Sequence, residues 1–184
     1  TVDPDGSNLI VTPDTGTPND IYNKGNLYLK ANEGKKIVLE DGISTLPTGS
    51  VLGTTNIGDT TGNYTGKIIV DNSFKQNNLN VISGNLVVDA DILDIDKGTT
   101  NGIRNSGTIT FTGGTNDDKI VAYGSGASAK KGKVIIGDDD VTDSEVENNA
   151  DWKLTQLIIR EHKKLMNDAD VDLSENLEVK ENAT

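Results

Sequence analysis

The stretch GNLVVDADILDI, residues 84–95, reads as a strand followed by a second strand with no turn between them. Apolar residues fall at Leu86, Val88, Ile92 and Leu93, while Asp89, Ala90 and Asp91 stand where a hairpin would need a sequence such as Asn-Gly. A chain that leaves a strand without doubling back must bend at a corner and begin another face. The stretch therefore predicts one face, a corner at Asp89-Ala90-Asp91, and the next face of a coil.

The same phrase, a turn residue followed by apolar-any-apolar, recurs along the chain. It is found in GNLYLK (Leu27, Leu29), KKIVLED (Ile37, Leu39), GKIIVDN (Ile68, Val70), NNLNVIS (Leu79, Val81), GTITFTG (Ile109, Phe111), GKVIIGD (Val134, Ile136), TQLIIRE (Leu157, Ile159), ADVDLSE (Val171, Leu173) and ENLEVKE (Leu177, Val179). Each is a short period-two strand closed off by Gly, Asn or Asp. Taking Leu27, Val51, Ile68, Leu86, Ile109, Val134, Leu157 and Leu177 as one column gives steps of roughly 17 to 25 residues, the period of a solenoid. Between column members, Leu79, Leu86 and Ile92, like Leu165, Val171 and Leu177, step by about six or seven residues, enough for a short strand and a corner. The pattern predicts an all-β parallel β-helix with coils of about 20 residues and three faces per coil. Leu27, Ile68, Leu86, Ile109, Val134 and Leu177 are expected inside. The alternative is an antiparallel β-sandwich, whose strands also recur with turn signals.

Composition agrees with β structure. The 184 residues are 33% hydrophobic with only two Phe, one Trp and one Met, so the core must be built from Val, Ile and Leu. Net charge is −12 and the pI is near 4.4, which disfavours nucleic acid or an anionic bilayer as partner. The absence of cysteine excludes disulfide scaffolds, zinc-thiolate sites and thiol nucleophiles. No apolar run approaches the ~20 residues of a membrane helix, and TVDPDGSNLI lacks the layout of a signal peptide. With no initial Met and a strand just before its end, the chain reads as a segment of a longer protein.

Two regions break the rhythm. Residues 1–24 hold three of the four prolines and read as an irregular lead-in or linker, leaving 25–184 as the β-helix. DDDVTDSEVENNAD, residues 138–151, is expected to loop outward as an acidic insertion. WKLTQLIIREHKKLM, residues 152–166, has near-helical apolar spacing but resumes the strand-corner-strand rhythm, and strand is the preferred reading.

GNLYLKANEGKKIVLEDGI (25–43), NNLNVISGNLVVDADI (77–92), RNSGTITFTGG (104–114) and ADVDLSENLEVKENAT (169–184) together resemble the coils of bacterial autotransporter passenger regions and related large surface adhesins. The resemblance covers most of residues 25–184 and contains no diagnostic motif. It implies a secreted or cell-surface stalk or adhesin, attached to a bacterial outer membrane through regions outside this segment. Partners would be a host or neighbouring-cell surface protein or glycan, or the chain itself.

Candidate chemistry is sparse. His162, the only histidine, sits among charges in REHKK and reads as a surface residue, not a member of a Ser-His-Asp relay. Asp89, Asp91, Asp94 and Asp96 are the residues a polysaccharide-cleaving β-helix would draw on, but they alternate with apolar residues as an outward polar edge would. DDDVTDSE (138–145) and DIDKG (94–98) are the oxygen-rich stretches to weigh for calcium, and neither completes a known loop motif. GSGASAKKGK (124–133) lacks the Walker spacing and reads as a turn. Asn63-Tyr64-Thr65 and Asn182-Ala183-Thr184 match the glycosylation sequon and read as turn residues. No catalytic, cofactor-binding or metal-binding residue is assigned, and no cofactor is expected. The expected function is a non-enzymatic structural or adhesive module. The alternatives are a β-helical polysaccharide-cleaving enzyme or tailspike fragment, and a self-assembling filament or surface-layer subunit.

Overall fold

A computed structural model describes residues 9–11, 21–44, 53–139 and 144–184. The stretch 84–95 behaves as its sequence predicts. Asn85–Val88 is a strand, Ala90–Ile92 a 3-10 turn, and Leu93–Ile95 the next strand, with the Asp89 carboxylate accepting from the Asp91 amide to cap the corner. The two strands lie in different sheets, so the chain turns a corner without pairing with itself.

Among the described residues every pairing between strands is parallel, and they form a parallel β-helix of three-faced coils. The first face is one eight-stranded sheet: Leu9–Val11, Lys36–Leu39, Lys67–Val70, Asn85–Val88, Thr108–Phe111, Lys133–Ile136, Gln156–Ile159 and Leu177–Val179. The third face is a seven-stranded sheet from Asn26–Leu29 to Val171–Leu173. The second face is broken in two. Ile21–Tyr22, Ile43–Ser44, Phe74–Gln76 and Leu93–Ile95 form one sheet, and Gly114–Asn116, Ser144–Asn148 and Lys163–Asn167 another. Among the described residues, the one antiparallel contact outside these sheets is a bridge between Tyr123 and Lys130, which pinches off the excursion through 124–129. The antiparallel sandwich is therefore excluded.

Register on the first face runs Ile37, Ile68, Leu86, Ile109, Val134, Leu157, Leu177. The column expected from sequence is correct from Ile68 onward and wrong at its start. Leu27 belongs to the third face, opposite Thr55, and is only half-buried; Val51 lies outside the described residues. Ile37 holds the place given to Leu27. Ile68, Leu86, Ile109 and Val134 are buried as expected, but Leu177, on the last strand, is 53% exposed because no described coil covers it. A second inward column, Leu39, Val70, Val88, Phe111, Ile136, Ile159, lies beside the first. Phe111 stacks on Trp152 across the interior at 5.8 Å between ring centroids.

The residue between the two inward columns points outward, and here the pattern departs from simple alternation. Val38, Ile69, Val87, Thr110, Ile135 and Ile158 form an outer ladder on the first face. Val87 and Thr110 are nonetheless buried. Parallel sheets are usually covered on both sides. Asp138 contributes to the cover, since it lines a shallow recess with Ile69 and Val87 and its carboxylate accepts two bonds from Lys67 Nζ at 2.9 and 3.0 Å.

Two other expectations are corrected and a third holds. The stretch 1–24 contributes two strands, Leu9–Val11 opposite Ile37–Leu39 and Ile21–Tyr22 opposite Ile43–Ser44, so coils begin before residue 25. The acidic insertion is narrower than 138–151: residues 144–148 are a strand of the second face, with Ser144, Val146 and Asn148 buried and Glu145 and Glu147 turned outward. Measured against the next coil, where Ile159 and Lys163 pair with Ile136 and Ser144, the insertion amounts to four residues. Residues 152–166 are strands, as preferred from sequence.

Asparagine takes over from the aliphatics at one corner. Asn116, Asn148 and Asn167 are in register on the second face. Asn116 Nδ2 donates to Asn148 Oδ1 at 2.9 Å, and Asn148 Nδ2 to Asn167 Oδ1 at 2.7 Å. Each also donates to the carbonyl two residues ahead, at Asp118, Ala150 and Ala169. The side-chain ladder thus ties neighbouring coils together and holds each corner.

Two substitutions test the architecture. Leu86→Asp places an unpaired carboxylate between stacked coils and should cost several kcal/mol, about 3–5 for a buried unpaired charge. Hydrogen exchange should then rise first around residues 68–110, because each coil contacts only its neighbours; a uniform rise along the chain would indicate one cooperative core. Asn148→Ala leaves Asn116 Nδ2 and Asn167 Oδ1 without their ladder partner, and should lower stability in urea unfolding by about 1–3 kcal/mol.

Candidate functional site

The break in the second face creates the most unusual chemistry in the described residues. Leu93–Ile95 pairs with Phe74–Gln76 behind it, and Gly114–Asn116 pairs with Val146–Asn148 ahead of it, but the two strands do not pair with each other. Substitutes span the gap. The Ala90 amide donates to the Gly113 carbonyl at 2.8 Å, and the Thr115 amide to Asp91 Oδ1 at 2.8 Å. Gly114 makes this close approach possible: its φ is +83°, and a Cβ there would lie 2.3 Å from Asp89 Oδ1.

Between the strands lies a cleft of about 310 Å³ lined by Asp91, Asp94, Thr115, Asn116, Asp117 and Asp118, among others. Asp118 is only 7% exposed. Its carboxylate lies against the helical turn Gly98–Asn101, where a Cβ on Gly98 would sit 1.8 Å from Oδ1, so only glycine leaves it room. No hydrogen-bond donor among the described residues reaches that carboxylate. Burial first, then the negative charges of Asp117 and Asp94, push it up to about 6. Asn116 is also buried, and its Oδ1 is without a partner, since the asparagine ladder ends there. A buried acid and a buried amide oxygen, both without donors, thus line the same cleft.

The residues singled out in the sequence are distributed as follows. Asp91 and Asp94 line the cleft; Asp89 caps the corner beside it; Asp96 is exposed, 3.7 Å from Lys97. Asp94 also forms an exposed ion pair with Lys75. Of the two calcium candidates, 94–98 borders the cleft through Asp94 and Ile95. The other, 138–145, is split: Asp138 pairs with Lys67, Asp139 with Arg160, Glu145 with Lys164, and 140–143 lie outside the described residues. His162 is exposed in a turn at φ 58°, 3.3 Å from Glu161. Asn63 and Asn182 are both exposed.

Sequence reasoning missed Asn116, Asp117 and Asp118. A signal was present, because the 23-residue step that carries Leu86 to Ile109 also carries Asp94 to Asp117. The burial of Asp118 had no such signal, since it depends on Gly98 and on the missing ladder.

The fold and the cleft define a parallel β-helix with an acidic recess at an internal break in one face. No family model, curated protein or solved structure matches the chain.

The raised Asp118 pKa gives a pH dependence of definite sign. Between about pH 4 and 6 the folded chain keeps a proton that the unfolded chain has released, so this group's contribution to stability falls as pH rises through that window and is level above it. A shift of this size corresponds to ~3 kcal/mol. Asp118→Asn removes the titration. In EDTA, urea unfolding should find the variant and the parent close at pH 4 and the variant more stable at pH 7.5, with the gap opening between pH 4 and 6.5.

Proposed function

We propose that the chain is a structural and adhesive module, a coiled rod of a bacterial cell-surface or secreted protein that presents side chains from its corners and faces to a partner. The observation that carries this reading is the uninterrupted eight-stranded first face, which runs through every coil and leaves the excursions between faces free to vary. Excursions of this kind are where solenoids build recognition surfaces. Two of them, around Asp59–Thr65 and Tyr123–Lys130, flank a groove of about 400 Å³ whose lining residues include Asp59, Thr65, Ser83, Ser106 and Tyr123. An aromatic ring beside hydroxyl and carboxylate groups suits a glycan or a polar peptide segment. The resemblance of the strand phrases to autotransporter passengers supports the same placement, at the surface of a bacterium.

A second reading, a polysaccharide-cleaving β-helix, is favoured by one observation. Burial and the negative charges of Asp117 and Asp94 push Asp118 up to about 6, the direction in which the acid of a two-carboxylate glycosidase is shifted. Against it, no aromatic side chain lines the cleft to stack a sugar ring.

Binding to arrayed host matrix proteins, glycans and the immobilised chain itself, run beside reducing-sugar release from bacterial and host polysaccharides, separates these readings. The adhesive reading expects saturable binding to at least one surface, weakened tenfold or more by Tyr123→Ala, and no sugar release. Release that is lost in Asp118→Asn would establish the enzyme instead, and no binding to any surface would leave a passive spacer.

A further inference from the structure

The cleft at the break in the second face is lined by three apolar residues, Ala90, Leu93 and Ile95, and by six that carry side-chain oxygen. Asn116 Oδ1 has no donor, and its orientation is fixed because Nδ2 is committed to the Asp118 carbonyl and to Asn148 Oδ1. The Asp118 carboxylate, nine-tenths buried, also has no donor. Asp117 and Asp94 add charge of the same sign, and the cleft-facing residues include no lysine, arginine or histidine. Asn116 Oδ1, sealed from solvent, and the carboxylate of Asp118, which lines the cleft, are both acceptors without a donor among the described residues, and a sealed one is costly to leave unpaired. A proton on Asp118 can relieve one of them. A cation relieves both, and it answers the repulsion among the aspartates as well.

We propose that this cleft is a binding site for a hard divalent cation, with Ca²⁺ as the best fit, held by the Asp118 carboxylate and Asn116 Oδ1 and supported by Asp117 and Asp94. Carboxylate, amide and carbonyl oxygens are the donors calcium takes, in irregular geometry and with waters completing the shell. Among the described residues no three carboxylate or histidine side chains are gathered closely enough to enclose a metal by themselves. The site is accordingly one of few protein charges completed by neutral oxygens, the type with dissociation constants of about 10⁻⁴–10⁻³ M in extracellular modules. Asp94 shares its carboxylate with Lys75 at the rim, which places it in a supporting role. By joining the coil of Leu93–Ile95 to the coil of Gly114–Asn116, the ion would replace the missing ladder and stiffen the rod at its one internal break among the described residues.

The test is calorimetric titration of the full chain with CaCl₂ at pH 7.5 and fixed ionic strength, beside thermal melts in 10 mM CaCl₂, 10 mM MgCl₂ and EDTA. The expected result is one saturable site, a melting temperature several degrees higher in Ca²⁺ than in EDTA, and a smaller rise in Mg²⁺. Asp118→Asn should weaken Ca²⁺ at least tenfold; Asp94→Asn, at the exposed rim, should weaken it a few-fold. Glu175→Gln, an exposed carboxylate in the turn before the last strand of the first face, should change nothing. Diffuse, unsaturable binding that all variants share equally would overturn the site in favour of general screening of an acidic chain. Absence of any calcium response, with Asp118→Asn more stable than the parent in EDTA, would assign the cleft to a protonated Asp118 instead. If Asp118→Asn fails to fold, Asp94→Asn decides: a calcium response unchanged in that variant counts against the site.

Discussion

The parallel hydrogen-bond ladder of the first face is the constraint on which the rest of the structure depends. Each of its strands is only three or four residues long, too short to be stable alone. Its backbone groups are satisfied by the coils before and after, so register passes from coil to coil. Once Leu86 lies on Ile68 and Ile109, the residues two positions ahead are aligned as well, and Val88 must meet Val70 and Phe111. Corners absorb all differences in length. The register positions on this face are separated by 31, 18, 23, 25, 23 and 20 residues from Ile37 to Leu177, yet the ladder is unbroken. Loop closure depends weakly on length, so such variation is tolerated outside the ladder and nowhere within it.

This division explains what could be read from the sequence. From Ile68 onward each coil has one phrase of turn residue, apolar, any, apolar that fits the period, and the column followed. At the start, GNLYLK and KKIVLED satisfy the phrase equally well, and only the identity of the pairing strand separates Ile37 from Leu27. The phrase also hid the outward ladder, because KIIV, KVII and QLII have apolar residues in the position that alternation reserves for solvent. Ser144–Asn148 was concealed by composition. Its inward residues, Ser144, Val146 and Asn148, alternate with two glutamates, and the acidic run around them outweighed a period-two pattern that was present all along.

The cleft was legible in part. Asp94 stood out as an acidic residue on an outward edge, and the coil step of 23 residues leads from it to Asp117, a signal that went unused. What sequence could not supply was the failure of two adjacent strands to pair. A missing ladder leaves no mark in composition, since Leu93–Ile95 and Gly114–Asn116 each pair normally on their other side. Asp118 then acquires its properties from neighbours distant in sequence: Gly98 provides room, and the break removes the donors that would have met it.

A solenoid has strand edges at its ends and at any level where a face is interrupted, and the two kinds of edge call for different remedies. An end can be covered by another coil. An internal interruption cannot, because the first and third faces hold the two coils at a fixed separation, and the unpaired groups of the second face must be met by whatever fits between them. Here part of the remedy is internal: Asp91 accepts from the Thr115 amide, and Gly113 accepts from Ala90. Using carboxylates in place of a ladder concentrates negative charge at one level of the rod, and the side chains that remain unmet, Asp118 and Asn116 Oδ1, are acceptors. The same break that relaxes the hydrogen bonding of one face thereby sets the chemistry of the cleft: it can be completed by a proton or a cation, and not by an anion or a neutral apolar group.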